Sequence, residues 1–217
     1  MFLWRMPELN YFQSKSLNMT TLKFFNRWTA ENVVVKDVAH RPYISILPKI
    51  APKTGARYAG NRFHKSYTFI VERLATKLMN SGHRAKKHFI SSGHNTGKKN
   101  HTLGIVEEAL AIAEKKLKVN PLVLLVQAVE NAAPREEVIA IEYGGARYPK
   151  AVDIAPQRRV DLALRNMTQG AYQKCFNKKN KIQDALAEEI IAAAQCSGRS
   201  AAVSKKRDLE RQAVSSK

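Results

Sequence analysis

Between Asn120 and Pro134 the chain reads NPLVLLVQAVENAAP, and this stretch limits the folds open to it more than any other. Asn120 is a good N-cap and Pro121 a good first helical residue, while Pro134 disfavours a helical conformation in the residue before it. The helix so delimited is apolar nearly all round. Such a helix is stable in water only when other helices surround it, so the rest of the chain has to supply amphipathic partners.

It does so repeatedly. From Ser66 onward Ile70, Leu74 and Leu78 recur at i, i+4 and i+8, and the NSG that follows places Gly82 at a C-cap. Leu103, Val106, Leu110, Ala113 and Leu117 are spaced 3-4-3-4, with Thr102 as the expected N-cap. Ala155-Pro156 opens another helix with Val160, Leu164, Met167 and Ala171 on one side and Arg158, Arg159 and Arg165 mostly off it. KIQDALAEEIIAAAQ repeats the pattern through Ile182, Leu186, Ile190 and Ala193 and ends near Gly198, and a last basic helix is expected over Ser204 to Val214. The predicted fold class is mainly α: a bundle of about five or six helices, one projecting β-hairpin and an irregular N-terminal arm.

The hairpin is IEYGGARYPK, Ile141 to Lys150. Two glycines suit a two-residue turn with positive φ, which pairs Tyr143 with Ala146, Glu142 with Arg147, Ile141 with Tyr148 and Ile139 with Lys150. An arm from Glu136 to Tyr143 spans about 26 Å at strand rise. Pro149 removes a donor that a wider sheet would use, so the hairpin is expected to stand as a two-stranded ribbon, either projecting or folded back over the bundle as a clip. Residues 1–56 carry short β-branched runs, NVVVKD and YISIL, broken by Pro42, Pro48 and Pro52. They read as an irregular arm lying on something else, which leaves 57–217 as one helical domain with the hairpin at about 136–154.

Lys and Arg number 37 of 217 residues against 18 Asp and Glu, a net charge of +19. The basic residues also fill the breaks between helices, as in GARYAGNRFHK, GHNTGKKNH, PQRR, NKKNK and SKKR. Loops of that kind point to a polyanion, with nucleic acid ahead of acidic membrane surfaces. No run approaches a transmembrane length, no apolar stretch exceeding the five residues of Leu122 to Val126, so no membrane partner is expected. Cys175 and Cys196 lack CxxC spacing and suggest neither a disulfide framework nor a zinc ribbon, which fits a reducing compartment. The start, MFLWRMPELNYFQSKSLNM, lacks a cleavable apolar segment and is poor in Arg; it reads as an untargeted tail, with Met19 as an alternative translation start.

Several motifs invite chemistry and do not sustain it. In GHNTGKK, Gly93 and Gly97 are one residue too close for a phosphate loop, Lys99 stands where Ser or Thr is needed, and no strand precedes it. A basic glycine turn gripping a nucleic-acid backbone suits the same residues better than a nucleotide hydrolase. His83, His88, His94 and His101 share no helical face and have no cysteine nearby, so no metal site is expected. The pairs Glu107-Glu108, Glu136-Glu137 and Glu188-Glu189 read as solvated helix faces, and no enzymatic signature or cofactor motif accompanies them. The ribbon, by contrast, gathers Tyr143, Arg147, Tyr148 and Lys150 near its tip, rings and cations suited to bases and phosphates.

The stretch NAAPREEVIAIEYGGARYPKAVDIAPQRRVDLAL resembles the universal small-subunit ribosomal protein family called S-seven in bacteria and S-five in older eukaryotic naming. The resemblance rests on Pro134-Arg135, Gly144-Gly145-Ala146, Ala151-Val152-Asp153 and Pro156 with Arg158-Arg159, and on TGARYAGNRFHK, IVERLATKLMNSG, LAEEIIAAA and KKRDLERQA elsewhere. It covers about Leu22 to the C-terminus, and KFFNRW resembles the eukaryotic and archaeal branch.

It implies a structural, non-enzymatic constituent of the cytoplasmic small subunit, assembled in the nucleolus if the source is eukaryotic. The body would bind the 3′ major domain of small-subunit rRNA in the head, beside neighbouring ribosomal proteins, while the hairpin lines the path of mRNA and exit-site tRNA. The implied rRNA contacts are Arg57, Arg62, Lys65, Lys98, Lys99, Arg135, Lys150, Arg158, Arg159, Arg165, Lys205, Lys206 and Arg207. Tyr143, Gly144, Gly145, Ala146 and Arg147 form the tip nearest tRNA and mRNA. A free basic RNA- or DNA-binding regulator is the alternative. One stretch departs from the family pattern: His83 to Gly93, HRAKKHFISSG, stands as an addition between LMNSG and the glycine loop, with SGH at both Ser81 and Ser92. It reads as a lineage-specific expansion or a coding artefact.

Overall fold

The computed structural model describes residues 22–31, 33–83 and 88–217. The start at Met1 or Met19 and part of the His83 to Gly93 stretch lie outside them. The described chain holds a two-residue strand pair, β1 (Lys23–Phe24) with β2 (Trp28–Thr29), then helices α1 (Ile70–Leu78), α2 (Lys99–Leu117) and α3 (Pro121–Ala132). The ribbon β3 (Glu136–Tyr143) and β4 (Ala146–Asp153) follows, and α4 (Pro156–Cys175), α5 (Ile182–Ala194) and α6 (Ala201–Ser215) complete it. The class is mainly α, as the periodicities predict.

Helix α3 is the central element and touches α2, α4, α5 and α6. The Asn120 side chain caps it, accepting from Leu122 N at 3.0 Å while its amide donates to Thr29 O at 2.8 Å. Ala133 is extended, so the helix stops before Pro134. Leu122, Leu125, Val126 and Val129 are buried among the predicted apolar faces of the other helices, including Leu74, Leu110, Leu164, Met167, Leu186 and Ile190.

Five boundaries differ from the sequence reading, one being the end of α5, which closes at Ala194 rather than near Gly198, with Cys196 in the left-handed conformation just after it. Helix α1 begins at Ile70 rather than Ser66, because His64–Tyr67 form a separate 3-10 turn. Gly82 is not a left-handed C-cap, since the helix closes at Met79; a Cβ at Gly82 would meet Ser92 Cα and the Tyr172 ring, each at 3.2 Å, so close approach is what requires glycine there. Helix α2 starts at Lys99, which puts Thr102 inside the helix, buried, with its hydroxyl donating to Lys99 O at 2.9 Å. Helix α6 starts three residues before Ser204, at Ala201, because Ser200 caps it by accepting from Val203 N.

The described part of the arm lies on the body itself. Phe24 and Trp28 are buried with Phe69, at ring distances of 5.2 and 5.6 Å from Phe24, and Trp28 Nε1 donates to Glu114 Oε2 at 2.8 Å. The far end of the added stretch also packs: Phe89 lies 5.3 Å from the Tyr172 ring and 4.5 Å from that of Phe176, and Ser91 hydrogen-bonds the Tyr172 hydroxyl.

The acidic pairs need correction. Glu136 and Glu137 belong to β3, not to a helix. Glu189 is fully buried and accepts from Lys174 Nζ at 2.8 Å, Ser200 Oγ at 2.7 Å and Ala202 N at 3.0 Å, so it joins α4, α5 and the start of α6. Three donors are what make a buried carboxylate tolerable.

Candidate nucleic-acid interface

The ribbon has the predicted register at all four pairs, from Ile139 with Lys150 to Tyr143 with Ala146. Gly144 and Gly145 have φ of +58° and +80°, the two positive values that a type I′ turn requires. Every residue from 139 to 150 is exposed and Tyr143 is 82% exposed, so the ribbon projects and is not a clip. Ile139, Ile141, Tyr143, Ala146, Tyr148 and Lys150 share one face, because directly paired residues lie on the same side of a sheet. Arg147 crosses to Glu142 at 3.5 Å on the other face.

A basic groove of about 570 Å³ opens between the His64–Tyr67 turn, α1 and the start of α4. Lys65, Lys77, Arg158 and Arg165 line it, with His64 and Phe63 at its edge. Its floor is Asp161, which takes Lys65 Nζ at 2.8 Å, Arg73 NH2 at 3.3 Å and Lys77 Nζ at 3.9 Å. Burial by itself would raise the Asp161 carboxyl; the Lys65 hydrogen bond and the charges of Lys77 and Arg73 outweigh it and hold the group below the ordinary range. Burial pushes the Lys77 ammonium below its usual value despite Asp161. One carboxylate facing three cations leaves the groove with an excess of positive charge, which a phosphate would complete.

A second carboxylate ties the neighbouring basic loops to α1. Glu72, buried, accepts from Thr54 N and Thr54 Oγ1, each at 2.9 Å, and pairs with Lys99. Arg57 and Arg62 therefore sit in a loop pinned at one end by Thr54 on Glu72 and at the other by Lys65 on Asp161. Arg62 lies over the Phe63 ring at 5.1 Å. Lys98 is exposed beside Gly97, whose φ is +79°.

Not all expected contacts converge. Lys65, Arg158 and Arg165 meet in the groove, whereas Lys205, Lys206 and Arg207 lie on α6 and Lys150 on the ribbon. Several are also engaged internally: Arg159 Nε donates to Ile154 O at 2.7 Å, Lys206 Nζ to Asn131 O at 3.0 Å and Arg207 NH2 to Cys196 O at 3.3 Å. Arg57, Arg62, Lys98, Arg135, Lys150, Arg165 and Lys205 have no acidic partner within 4.0 Å among the described residues. Lys77 was missed by the sequence reading, although its position four residues after Arg73 on one helix was a usable signal. His83 and His88 stack at 4.5 Å.

The comparisons with known proteins decide the family. The model for Ribosomal protein S7p/S5e matches residues 40–217. The chain belongs to this family of ribosomal proteins. Its similarity extends to curated archaeal members named small ribosomal subunit protein uS7. The one from Nanoarchaeum equitans is 50% identical over 196 residues, 90% of this chain and 99% of that protein. Those of Methanothrix thermoacetophila and Archaeoglobus fulgidus are 46% and 45% identical, over 88% and 90% of this chain and 97% and 95% of theirs. Membership makes the chain a structural ribosomal protein of the small subunit, not an enzyme.

Proposed function

We propose that the chain organises the 3′ major domain of small-subunit rRNA in the subunit head, with its ribbon lining the path of mRNA and exit-site tRNA. The observation that carries the rRNA reading is the groove over Asp161, where Lys65, Lys77, Arg158 and Arg165 surround one carboxylate. Arg57, Arg62, Lys98 and Lys99 extend this surface along α1, and Arg135, Lys150, Arg159, Lys205, Lys206 and Arg207 serve further backbone contacts. Phosphates need positive charge held in place, and here the basic loops are held to the body by Glu72 and Asp161. In this reading residues 57–217 act as one RNA-binding unit and the arm straps across it.

The ribbon reading rests on exposure. Tyr143, Gly144, Gly145, Ala146 and Arg147 stand farthest along a two-stranded arm whose cost in stability has no return within the chain itself. Aromatic and cationic side chains on such an arm can stack on bases and pair with phosphates.

Sucrose-gradient sedimentation of cell extracts tests the assignment: nearly all of the chain travels with small subunits or their precursors. A chain spread through the free fractions would favour the unattached regulator instead. Deleting Glu142 to Tyr148 tests the ribbon. The shortened chain keeps its helical circular dichroism and joins small subunits, while exit-site tRNA retention or reading-frame maintenance declines; unchanged retention and framing would overturn the ribbon's role.

A further inference from the structure

The acidic pair Glu136-Glu137 has no part in the reading above. On a strand, neighbouring side chains point to opposite faces, so the pair presents one carboxylate to each side of the ribbon at its base. Each is taken by a different part of the body. Glu136 Oε1 accepts from Lys217 Nζ, just beyond α6, at 2.8 Å. Glu137 receives a bidentate bond from Arg158 of α4, Nε to Oε1 and NH2 to Oε2, both at 2.8 Å.

The backbone adds a pivot between them: Ile154 N donates to Arg135 O at 2.9 Å, and Arg135 N donates to Glu210 Oε1 of α6 at 3.1 Å. Beyond Val138 the ribbon is exposed up to the tip. It is a lever. Over a length of about 26 Å, a tilt of about 10° at the base moves the tip by about 4–5 Å.

We propose that Glu136 and Glu137 are positioning residues that aim the ribbon, one tie on each face, the first to Lys217 just past the end of α6 and the second to Arg158 in α4. A single exposed ion pair constrains little, but opposed ties restrain tilt in both directions, and the bidentate fork of Arg158 fixes angle as well as distance. Arg158 also lines the basic groove, so this tie connects the ribbon's base to the groove wall. The inference concerns the chain alone and holds whether or not the ribbon meets RNA.

Nuclear magnetic resonance on the full chain in the absence of RNA is the test. In the wild-type chain, residual dipolar couplings of ribbon amides fit the alignment of the helical body. In a chain carrying both Glu136→Gln and Glu137→Gln they no longer fit, and ribbon order parameters fall from about 0.85 to below about 0.6 while the helices are unchanged. Exchanging the charges of one tie, Glu137→Arg with Arg158→Glu, keeps the ribbon aligned. A ribbon that stays aligned in the doubly neutralised chain, or one as loose after the exchange as with Glu137→Gln alone, would sink the proposal.

Discussion

At the scale of single residues, Asp161 organises more of the candidate interface than any cation around it. It is the shared partner of Lys65, Arg73 and Lys77, and Arg73 is 5% exposed with its other terminal nitrogen on Tyr43 O at 2.7 Å. Removing the carboxylate leaves a buried guanidinium uncompensated, so Asp161→Asn should cost about 3 kcal/mol in urea unfolding. The sign of the pH dependence follows from the lowered carboxyl. Its contribution is complete above the unfolded-state value near pH 4 and is lost as pH falls through the lower folded-state value; the Asn variant lacks that part of the acid transition. Equal stability of the two chains at pH 7 would refute this role. None of it was legible in the sequence. Lys65 and Asp161 are 96 residues apart, and nothing local marks the aspartate as anything but a solvated helix residue.

At the scale of elements, legibility followed how local the determining signal is. The ribbon's register came out correctly because two glycines fix the turn and the alternation fixes the rest. The buried faces of α2, α3, α4 and α5 came from apolar spacing alone. The start of α2 did not, because Lys99, Asn100 and His101 add a helical turn without any apolar residue to show it. Nor did the contact where α4 meets α6. There Gly170 is buried in α4, and a Cβ on it would stand 2.6 Å from Ala201 Cβ and 3.4 Å from the Glu189 carboxyl carbon. In an open helix Gly→Ala would gain up to about 1 kcal/mol from propensity. Here the methyl has to push α6 and the Glu189 network aside, an overpacking cost of about 1–3 kcal/mol. Gly170→Ala is therefore expected to lower stability by about 1–2 kcal/mol. A gain in denaturant midpoint would show that the helices have room to part.

At the scale of the whole molecule, a net charge of +19 sets the sign of the partner, and the fold sets how that charge is delivered. Basic residues scattered along the sequence are gathered around α1 and α4 by Glu72 and Asp161, which concentrates a diffuse excess in one groove. If rRNA binds through this groove as proposed, binding releases counterions, and the logarithm of affinity for a head-domain rRNA fragment is expected to fall linearly with the logarithm of salt concentration. Each phosphate contact contributes about 0.7–0.9 to that slope. Lys77 and Arg165 line the groove and lie off the tight Lys65–Asp161 contact, so Lys77→Gln with Arg165→Gln removes charge from the groove while leaving its strongest internal pair in place. The doubly substituted chain should bind more weakly at low salt and show a slope shallower by about 1.5. The difference between the chains then shrinks as salt rises, since the lost term is the electrostatic one. Weaker binding with an unchanged slope would mean that the two side chains act through the fold, and that the phosphates lie on another surface.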